Sequence, residues 1–286
     1  AFGLKLVAPA MIILIVLLAL PTLLTVVYSL HDVPASGSSF GPFVGIENFT
    51  IIFSSPVFWR SAQVTLTFAI GFVVLSTVIG LAMAMLLNQR FIGRGLARAL
   101  LIIPWATPWL VIGILWKWFA DGSVGGLNAV LMMLGLTSDY HPFLSDPNTA
   151  LPITVLAAVW RQASFAGILL LAGLQTLPEE LNEAAQLVGA NWWQRFSNIT
   201  LPWLRPVLIT VTVFNVIYAF LQFDVVFAMT QGGPGDTTQV LSVLIYRQLF
   251  VNTNIGLGSA LAVILGVVAL IGGLTIVRLF YRREMH

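Results

Sequence analysis

The amino-acid sequence predicts an all-α membrane protein with about six transmembrane helices. Hydrophobic residues make up 58% of the chain and charged residues only 8%, whereas a soluble domain carries about a quarter charged residues. Such a chain cannot cover a water-facing surface. Apolar runs of about 20 residues recur along it, and a run of that length crosses a hydrocarbon core about 30 Å thick. We therefore expect a single transmembrane domain over residues 1–286.

The apolar runs place the spans in order along the chain. They cover residues 6–30, 62–87, 99–118, 152–176, 207–230 and 258–281. The segment 124–136 is too short and too rich in glycine to cross, and it predicts a surface helix. Lys5 precedes an apolar run that is too long for a cleavable signal peptide, and no small-residue cleavage site follows it. The chain opens with Ala rather than Met, which leaves room for a missing N-terminal tail.

Basic residues predict which side of the membrane each connection faces, because an excess of Lys and Arg marks the cytoplasmic side. One set of connections contains Lys5, Arg90, Arg94, Arg98, Arg195, Arg205, Arg278, Arg282 and Arg283. The opposite set contains Arg60 and Arg247 together with Asp32, Glu47, Asp121, Asp139, Asp146 and Asp236. The sequence thus predicts that both termini and the loop around Glu183 are cytoplasmic. We expect the regularly spaced arginines at 90, 94 and 98 to set orientation and to contact headgroups.

Three external loops are expected, at residues 31–60, 121–151 and 232–258. They are longer than tight connections need. This favours an external partner or a gate over loosely packed, exposed loops.

The cytoplasmic connection 177–206 has the pattern of two short helices joined by a turn. Thr176 and Glu179 have the spacing of a capping box at the start of the first helix. Ala184 and Ala185 are small enough to let another backbone approach closely. Gly189 is typical of a helix end, because glycine adopts the left-handed conformation at little cost.

The second short helix is expected to begin at Asn191, a residue suited to cap it. Trp192, Phe196 and Ile199 recur at helical spacing and form an apolar stripe. Pro202 and Pro206 are expected to end this helix and to restart the chain into the fifth span. The stripe needs a surface to cover it, and two alternatives remain open: the groove of a partner protein, or the lipid headgroups, which Trp192 and Trp193 would also suit.

The same segment resembles the EAA loop of permease subunits in ATP-binding-cassette (ABC) importers. That pattern reads Glu-Ala-Ala, three residues, Gly, and then a hydrophobic helix ending in Ile-x-Leu-Pro. The chain matches it at Glu183, Ala184, Ala185, Gly189, Ile199, Leu201 and Pro202, and departs from it at Val188, where the family usually has Asp. The resemblance implies a type I ABC importer permease fold with a cytoplasmic coupling-helix loop that docks into a groove of the ATPase. The implied ATPase-coupling residues are Glu183, Ala184, Ala185, Gly189, Trp192 and Phe196, with Glu183 as the candidate ion-pair partner of an ATPase arginine.

Shorter motifs extend the resemblance over nearly the whole chain. They lie at residues 43–49, 103–106 with 116–118, 223–234 and 258–260. Together they are similar to the carbohydrate-uptake group, and within it to the first of the two paired permeases of maltose, glycerol-phosphate and trehalose systems. The resemblance implies a second permease, an ATPase homodimer that binds ATP and Mg, and an external substrate-binding protein or lipoprotein. It implies no cofactor in this chain, and a location in the bacterial or archaeal cell (inner) membrane.

Polar residues inside the predicted spans indicate a path for the substrate, because polar groups in a bilayer usually face a bundle interior or a water-filled cavity. The candidates are Asn215, Tyr218 and Gln222 in the fifth span, Trp160 and Gln162 in the fourth, and Asp224 near the outer boundary. Aromatic faces, amides and a carboxylate together suit a sugar. Two alternatives stay open: such side chains also join helices by hydrogen bonds, and Asp224 suits a gate as well as a sugar contact. Arg161 is expected to reach the outer face or to pair with an acid such as Asp224.

The sequence lacks the patterns of several other classes of protein. It has no Gly-x-x-x-x-Gly-Lys-Ser/Thr phosphate loop and no cysteine, and His31, His141 and His286 lack metal-ligand spacing. We therefore expect no catalysis, no metal and no nucleic-acid partner. The main alternative is an ion-coupled secondary solute carrier, which would need an acid relay or broken helices in inverted repeats. A membrane-embedded transferase would need an acid or His cluster, and the sequence shows none.

Overall fold

The structure, a computed structural model, describes residues 2–33 and 41–281. Two compact units are present, one formed by residues 1–63 with 241–268 and the other by residues 64–240 with 269–286. The described residues are largely helical, as the sequence predicts. The β-structure found among the described residues is an isolated antiparallel bridge between His31 and Phe43.

Fourteen α-helices are found among the described residues. In order they are α1 (Phe2–Leu14), α2 (Leu20–Ser29), α3 (Glu47–Ser54), α4 (Pro56–Asn88), α5 (Arg94–Ala106), α6 (Trp109–Phe119), α7 (Gly126–Met133), α8 (Ala150–Gln175), α9 (Glu179–Leu187), α10 (Trp192–Arg195), α11 (Leu201–Leu221), α12 (Asp224–Thr230), α13 (Leu241–Tyr246) and α14 (Ile255–Tyr281). Wider π turns continue some helices rather than ending them. They lie at Ile15–Ala19 between α1 and α2, at Phe196–Thr200 between α10 and α11, and at Arg247–Val251 after α13.

The helices confirm the prediction of about six spans. Within the described residues, five helical stretches are long and apolar enough to cross a membrane, or six if α5 and α6 count as one broken span. The five are Val7–Ser29, Pro56–Asn88, Ala150–Gln175, Trp192–Leu221 and Ile255–Thr275. The second span begins at Pro56, earlier than predicted, and the loop predicted at 232–258 contains α13. The predicted cytoplasmic residues Arg282 and Arg283 lie outside the described residues, as does His286.

The third predicted span, 99–118, is not one straight helix. α5 and α6 are bent by 100° relative to each other at Thr107-Pro108. Proline lacks an N–H and disfavours the helical conformation of the residue before it, and Thr107 is extended, with φ −76° and ψ 132°. The hydropathy of the two halves is continuous, so the apolar pattern alone does not reveal the break.

The fifth predicted span, 207–230, does not coincide with one helix. The chain is helical from Trp192 to Leu221 and breaks at Gln222 before the separate helix α12. Pro202 and Pro206 lie within this helical stretch instead of ending it.

The π turn at 196–200 explains how the helix tolerates Pro202. In this turn the N–H of Leu201 bonds to the carbonyl of Phe196, five residues back. Pro202 follows at the start of the new α-helical register, where a residue without an N–H is accommodated.

The second unit is packed where α4, α5, α8 and α11 meet. Its buried cluster consists of Ala84, Leu87, Leu101, Ala166, Leu170, Leu171, Leu174, Leu204 and Val211. Glycine makes the close approach of α4 and α8 possible, since a Cβ on Gly80 would lie 2.6 Å from the Cβ of Ala166. Small residues at such crossings are typical of membrane helices. This packing fixes the end of α8, from which the coupling loop leaves.

The segment predicted as a surface helix, 124–136, contains the two-turn helix α7. Its Asn128 is fully buried, donates to the carbonyls of Asp121 and His141, and accepts from the N–H of His141. The Asp121 carboxylate accepts hydrogen bonds from the N–H groups of Ser123 and Val124, which lower the pKa of that carboxyl. The loop is therefore organised by its own polar contacts.

Candidate coupling loop and translocation path

The first helix of the coupling loop, α9, ends at a glycine turn as predicted. Gly189 has φ +80°, in the left-handed region that favours glycine. Its N–H bonds to the carbonyl of Gln186 at 2.9 Å, and the N–H of Ala190 bonds to that of Ala185 at 2.9 Å. These two bonds satisfy carbonyl groups that a helix end otherwise leaves without partners.

The capping box lies at the second helix and not at the first. Asn191 accepts from the N–H of Gln194 at 2.9 Å, and its own N–H donates to Gln194 Oε1 at 2.8 Å, so the predicted Asn191 cap is confirmed. The box predicted at Thr176 and Glu179 is wrong. Because α8 continues to Gln175, Thr176 caps the end of that helix and donates to the carbonyl of Gly173 instead.

The apolar face of the loop is only partly covered by the described chain, since Phe196 and Ile199 are partly buried. Trp192 and Phe196 stack in parallel with ring centres 5.5 Å apart, and Trp192 and Trp193 are more than half exposed. α9 buries none of its residues against the described parts of the chain. Val188, which replaces the family's usual Asp, is 84% exposed beside Gly189. The substitution therefore adds apolar surface on the exposed side of the turn.

A cavity of about 510 Å³ separates this loop from the end of α4. Asn88 and Gln89 line one side of the cavity, and Glu183, Gln186 and Trp192 line the other. The Arg90 guanidinium lies 3.2 Å from both carboxylate oxygens of Glu179. Both side chains are largely exposed, so this pair contributes about 0–1 kcal/mol at most.

Two of the predicted path residues, Gln162 and Asn215, belong to a buried hydrogen-bond network. Gln162 on α8 donates to Asn215 Oδ1 on α11 at 2.8 Å, and Asn215 donates to Thr77 Oγ1 on α4 at 3.0 Å. Gln162 and Asn215 are both fully buried. In this structure the two amides therefore join three helices, which is one of the roles that the sequence left open. That they contact substrate stays a prediction.

The other predicted path residues occupy different surroundings. Tyr218 and Trp160 are 38% and 39% exposed, and their rings lie near Trp109 and Trp116, at centroid distances of 6.3 and 6.4 Å respectively. Gln222 is buried at the break between α11 and α12, and Asp224 is the first residue of α12. The structure thus brings Asn215 and Gln162 together and leaves two aromatic faces accessible.

Arg161 holds the break in the third span. Its Nε donates to the carbonyl of Thr107 at 3.0 Å, and its guanidinium lies 4.1 Å from the centre of the Trp109 ring. Among the described residues no ion pair joins Arg161 to Asp224, which was one of the two alternatives that the sequence left open. Sequence reasoning also missed Trp109, although the Thr-Pro pair at 107–108 signals a broken helix.

Comparisons with known proteins agree with this arrangement. Residues 76–283 match the family described as "Binding-protein-dependent transport system inner membrane component". The trehalose/maltose transport system permease protein MalF of Thermococcus litoralis is 37% identical over 269 residues, which cover 94% of this chain and 90% of that protein. The sulfoquinovosyl glycerol transport system permease protein SmoG of Agrobacterium fabrum is 35% identical over 260 residues, which cover 91% and 84%.

A solved structure has the same fold. It is a chain from a crystal structure of a bacterial ABC transporter involved in the import of the acidic polysaccharide alginate, with a TM-score of 0.82 and 23% identity. The match covers 97% of this chain and 94% of that one, and confirms the predicted type I importer permease fold. From the family match and the extent of its relatives, the protein belongs to the binding-protein-dependent transport system inner membrane components, the permease subunits of ABC importers.

Proposed function

We propose that the chain carries a sugar or sugar-like solute into the cytoplasm by alternating access, driven by ATP hydrolysis in a separate ATPase. The observation that carries this proposal is the segment 177–206, a pair of short helices that leaves Leu187, Val188, Trp192 and Trp193 exposed in the described chain. Family membership supports import. The sugar class is supported by relatives named for trehalose/maltose and for sulfoquinovosyl glycerol transport.

The loop is mechanically joined to the span that follows it. Trp192–Leu221 is one continuous helical stretch of 30 residues, so a displacement of Trp192 displaces α11. ATP and Mg bound by the ATPase homodimer would close that dimer and draw the loop with it. The loop then moves the spans, so that the translocation cavity opens to the outside instead of to the cytoplasm. ATP hydrolysis returns the transporter to the inward-facing state.

The proposed complex contains three further kinds of subunit. A second permease completes the pore, the ATPase homodimer lies on the cytoplasmic side with both termini of this chain, and an external binding protein or lipoprotein delivers the solute. The first span supports contact with lipid or with the second permease, because the described residues of this chain bury none of the most apolar 18-residue window of that span. The assembly would lie in the cell (inner) membrane of a bacterium or archaeon.

The proposed path runs along Tyr218 and Trp160. Their aromatic faces are accessible and would pack against the C–H face of a sugar ring. The carboxylate of Asp224 and the amide of Gln222 belong to residues two positions apart at the break that follows α11. There they would form hydrogen bonds with the hydroxyl groups of the sugar. Asn215 and Gln162 would join the path when α4, α8 and α11 move apart.

Two loop variants test the proposal in the reconstituted complex. Glu183→Ala removes the proposed ion-pair partner, and Gly189→Pro cannot adopt the positive φ of the turn. We expect both to abolish ATP-driven uptake while solute binding to the external protein is unchanged. Glu180→Ala is the matched control, because Glu180 is exposed on the same helix. Undiminished uptake in both variants, or uptake that persists without the ATPase and stops with an ionophore, would contradict the proposal.

A further inference from the structure

Arg98 lies near the start of α5 and contacts the ends of two other helices. Its Nη2 donates to the carbonyl of Leu87, in the last turn of α4, at 3.0 Å. Gln175, the last residue of α8, accepts from Nη2 at 2.9 Å and from Nη1 at 3.1 Å when its amide oxygen faces the guanidinium. We assign that orientation because the opposite one sets amide N–H groups against guanidinium N–H groups. One side chain thus joins α4, α5 and α8.

The chemistry of this contact suits two converging helix ends. The last carbonyl groups of a helix have no partner inside the helix, and positive charge is favourable at that end. A guanidinium offers five donors in a fixed planar fork, so Arg98 can donate to the Leu87 carbonyl at the end of α4 and to the Gln175 side chain at the end of α8. A lysine at the same position has a single ammonium group and lacks this geometry.

The three arginines of this segment have different surroundings, although their spacing in the sequence makes them look equivalent. Arg98 joins the helix ends, and Arg90 pairs with Glu179 on α9. The Arg94 side chain is partly exposed and has no hydrogen bond or ion pair with described residues. Arg94 therefore offers a control within the same segment.

The Arg98 contact lies at the base of the coupling loop. Gln175 stands two residues before the loop begins, and the next residue, Thr176, accepts from the indole of Trp203 on α11 at 3.2 Å. Beneath these contacts Leu87, Leu174 and Leu204 belong to one buried cluster.

α9, by contrast, buries no residue in the described chain and is separated from α4 by the cavity described above. A displacement of α9 can therefore reach α4 and α5 through the exposed Arg90–Glu179 pair and through the base of the loop, where the buried cluster and the Arg98 contacts lie.

We propose that Arg98 is a positioning residue for coupling, which makes the cytoplasmic ends of α4, α5 and α8 move together when the loop is displaced. This inference rests on the proposed function of the loop. Without Arg98, the loop would still move α8 and α11, to which it is joined covalently, but α4 and α5 would be held to α8 by the buried cluster alone. More ATP would then be hydrolysed for each solute imported.

The experiment uses the complete complex in proteoliposomes, with its ATPase, second permease and liganded binding protein. The quantities measured are the solute imported per ATP hydrolysed and the stimulation of hydrolysis by the binding protein. We expect Arg98→Gln to lower the first ratio by at least about tenfold, because a factor of about ten corresponds to one hydrogen bond to a charged group and Arg98 makes three. Hydrolysis without binding protein and co-purification of the ATPase should persist, and Arg94→Gln should behave as the parent.

Variants of the partner residue keep the test decisive if Arg98→Gln fails to assemble. Gln175→Glu retains an acceptor for the guanidinium and should preserve coupling, whereas Gln175→Lys places a positive charge against it and should lower the ratio. Equal ratios for these two variants, or equal losses in Arg98→Gln and Arg94→Gln, would overturn the inference. If Glu183→Ala uncouples transport and neither Arg98→Gln nor Gln175→Lys does, the loop proposal stands and the Arg98 proposal fails. If Glu183→Ala leaves uptake intact, the proposed function itself fails.

Discussion

Replacement of Gly189 by Ala tests whether the turn between α9 and α10 must keep its present shape. Gly189 has φ +80°, and a Cβ added there would meet no atom within 4 Å. The substitution therefore introduces no clash and penalises only the backbone conformation. A residue with a Cβ pays about 1–2 kcal/mol in the left-handed region. This penalty corresponds to a factor of about 5–30 in the population of the turn.

The assay is titration of the purified permease pair with the ATPase, followed by ATP-driven uptake at each ATPase concentration. If docking requires this turn, Gly189→Ala should weaken the affinity for the ATPase by about 5- to 30-fold. Excess ATPase should then restore uptake. Gly189→Asn should be affected less, because Asn tolerates the left-handed conformation better than Ala.

Gly95→Ala is the matched control for this prediction. Gly95 also lies in the predicted cytoplasmic region and has open space around it, but its φ is outside the left-handed region. The Gly95→Ala variant should bind the ATPase with the same affinity as the parent. Equal affinities for Gly189→Ala and Gly95→Ala, or a larger loss for Gly189→Asn than for Gly189→Ala, would refute the reasoning.

Three further predictions concern the spans. Gly80→Ala should destabilise the α4–α8 crossing by about 1–3 kcal/mol, measured as thermal unfolding in detergent. Gly266→Ala should not, because the Cβ added there meets nothing within 4 Å. Equal unfolding temperatures for the two variants would contradict this prediction. Asn215→Leu breaks the buried hydrogen-bond network of Gln162, Asn215 and Thr77. It should lower stability by about 1 kcal/mol, given the modest strength of hydrogen bonds between membrane helices. It should also change solute choice or transport-coupled ATP turnover, and no change in either would restrict Asn215 to helix packing. Arg161→Lys loses the planar stack on Trp109 and should raise the KM for delivered solute, while an unchanged KM and kcat would show that the break needs no arginine.

The spans and the glycine turn could be predicted from the sequence because their causes are local. Hydropathy is summed over neighbouring residues, and the conformation of Gly189 and the cap at Asn191 depend on contacts within a few residues. The bounds of the fifth span depend instead on a π turn that carries the helix through Pro202. Composition alone does not distinguish such a turn from a helix end.

The contacts that organise the candidate sites depend on tertiary structure. Asn215 and Thr77 are 138 positions apart in the chain, and Arg98 meets Gln175 only because the start of α5 lies beside the end of α8. The regular spacing of Arg90, Arg94 and Arg98 predicts one shared role, while their neighbours assign them different ones. Physical reasoning from one sequence thus finds the elements of this permease, and the structure identifies which side chains connect them.

Cross-linking from the glycine turn tests the central claim most directly, because the chain has no cysteine of its own. Val188→Cys places a thiol at an 84% exposed position beside the turn, and Ser138→Cys places one in a predicted external loop as a control. In the assembled complex, a short thiol-directed cross-linker should join residue 188 to the ATPase and should stop uptake, whereas residue 138 should give no ATPase adduct. Absence of an adduct from residue 188 in a complex that still imports solute would contradict the account.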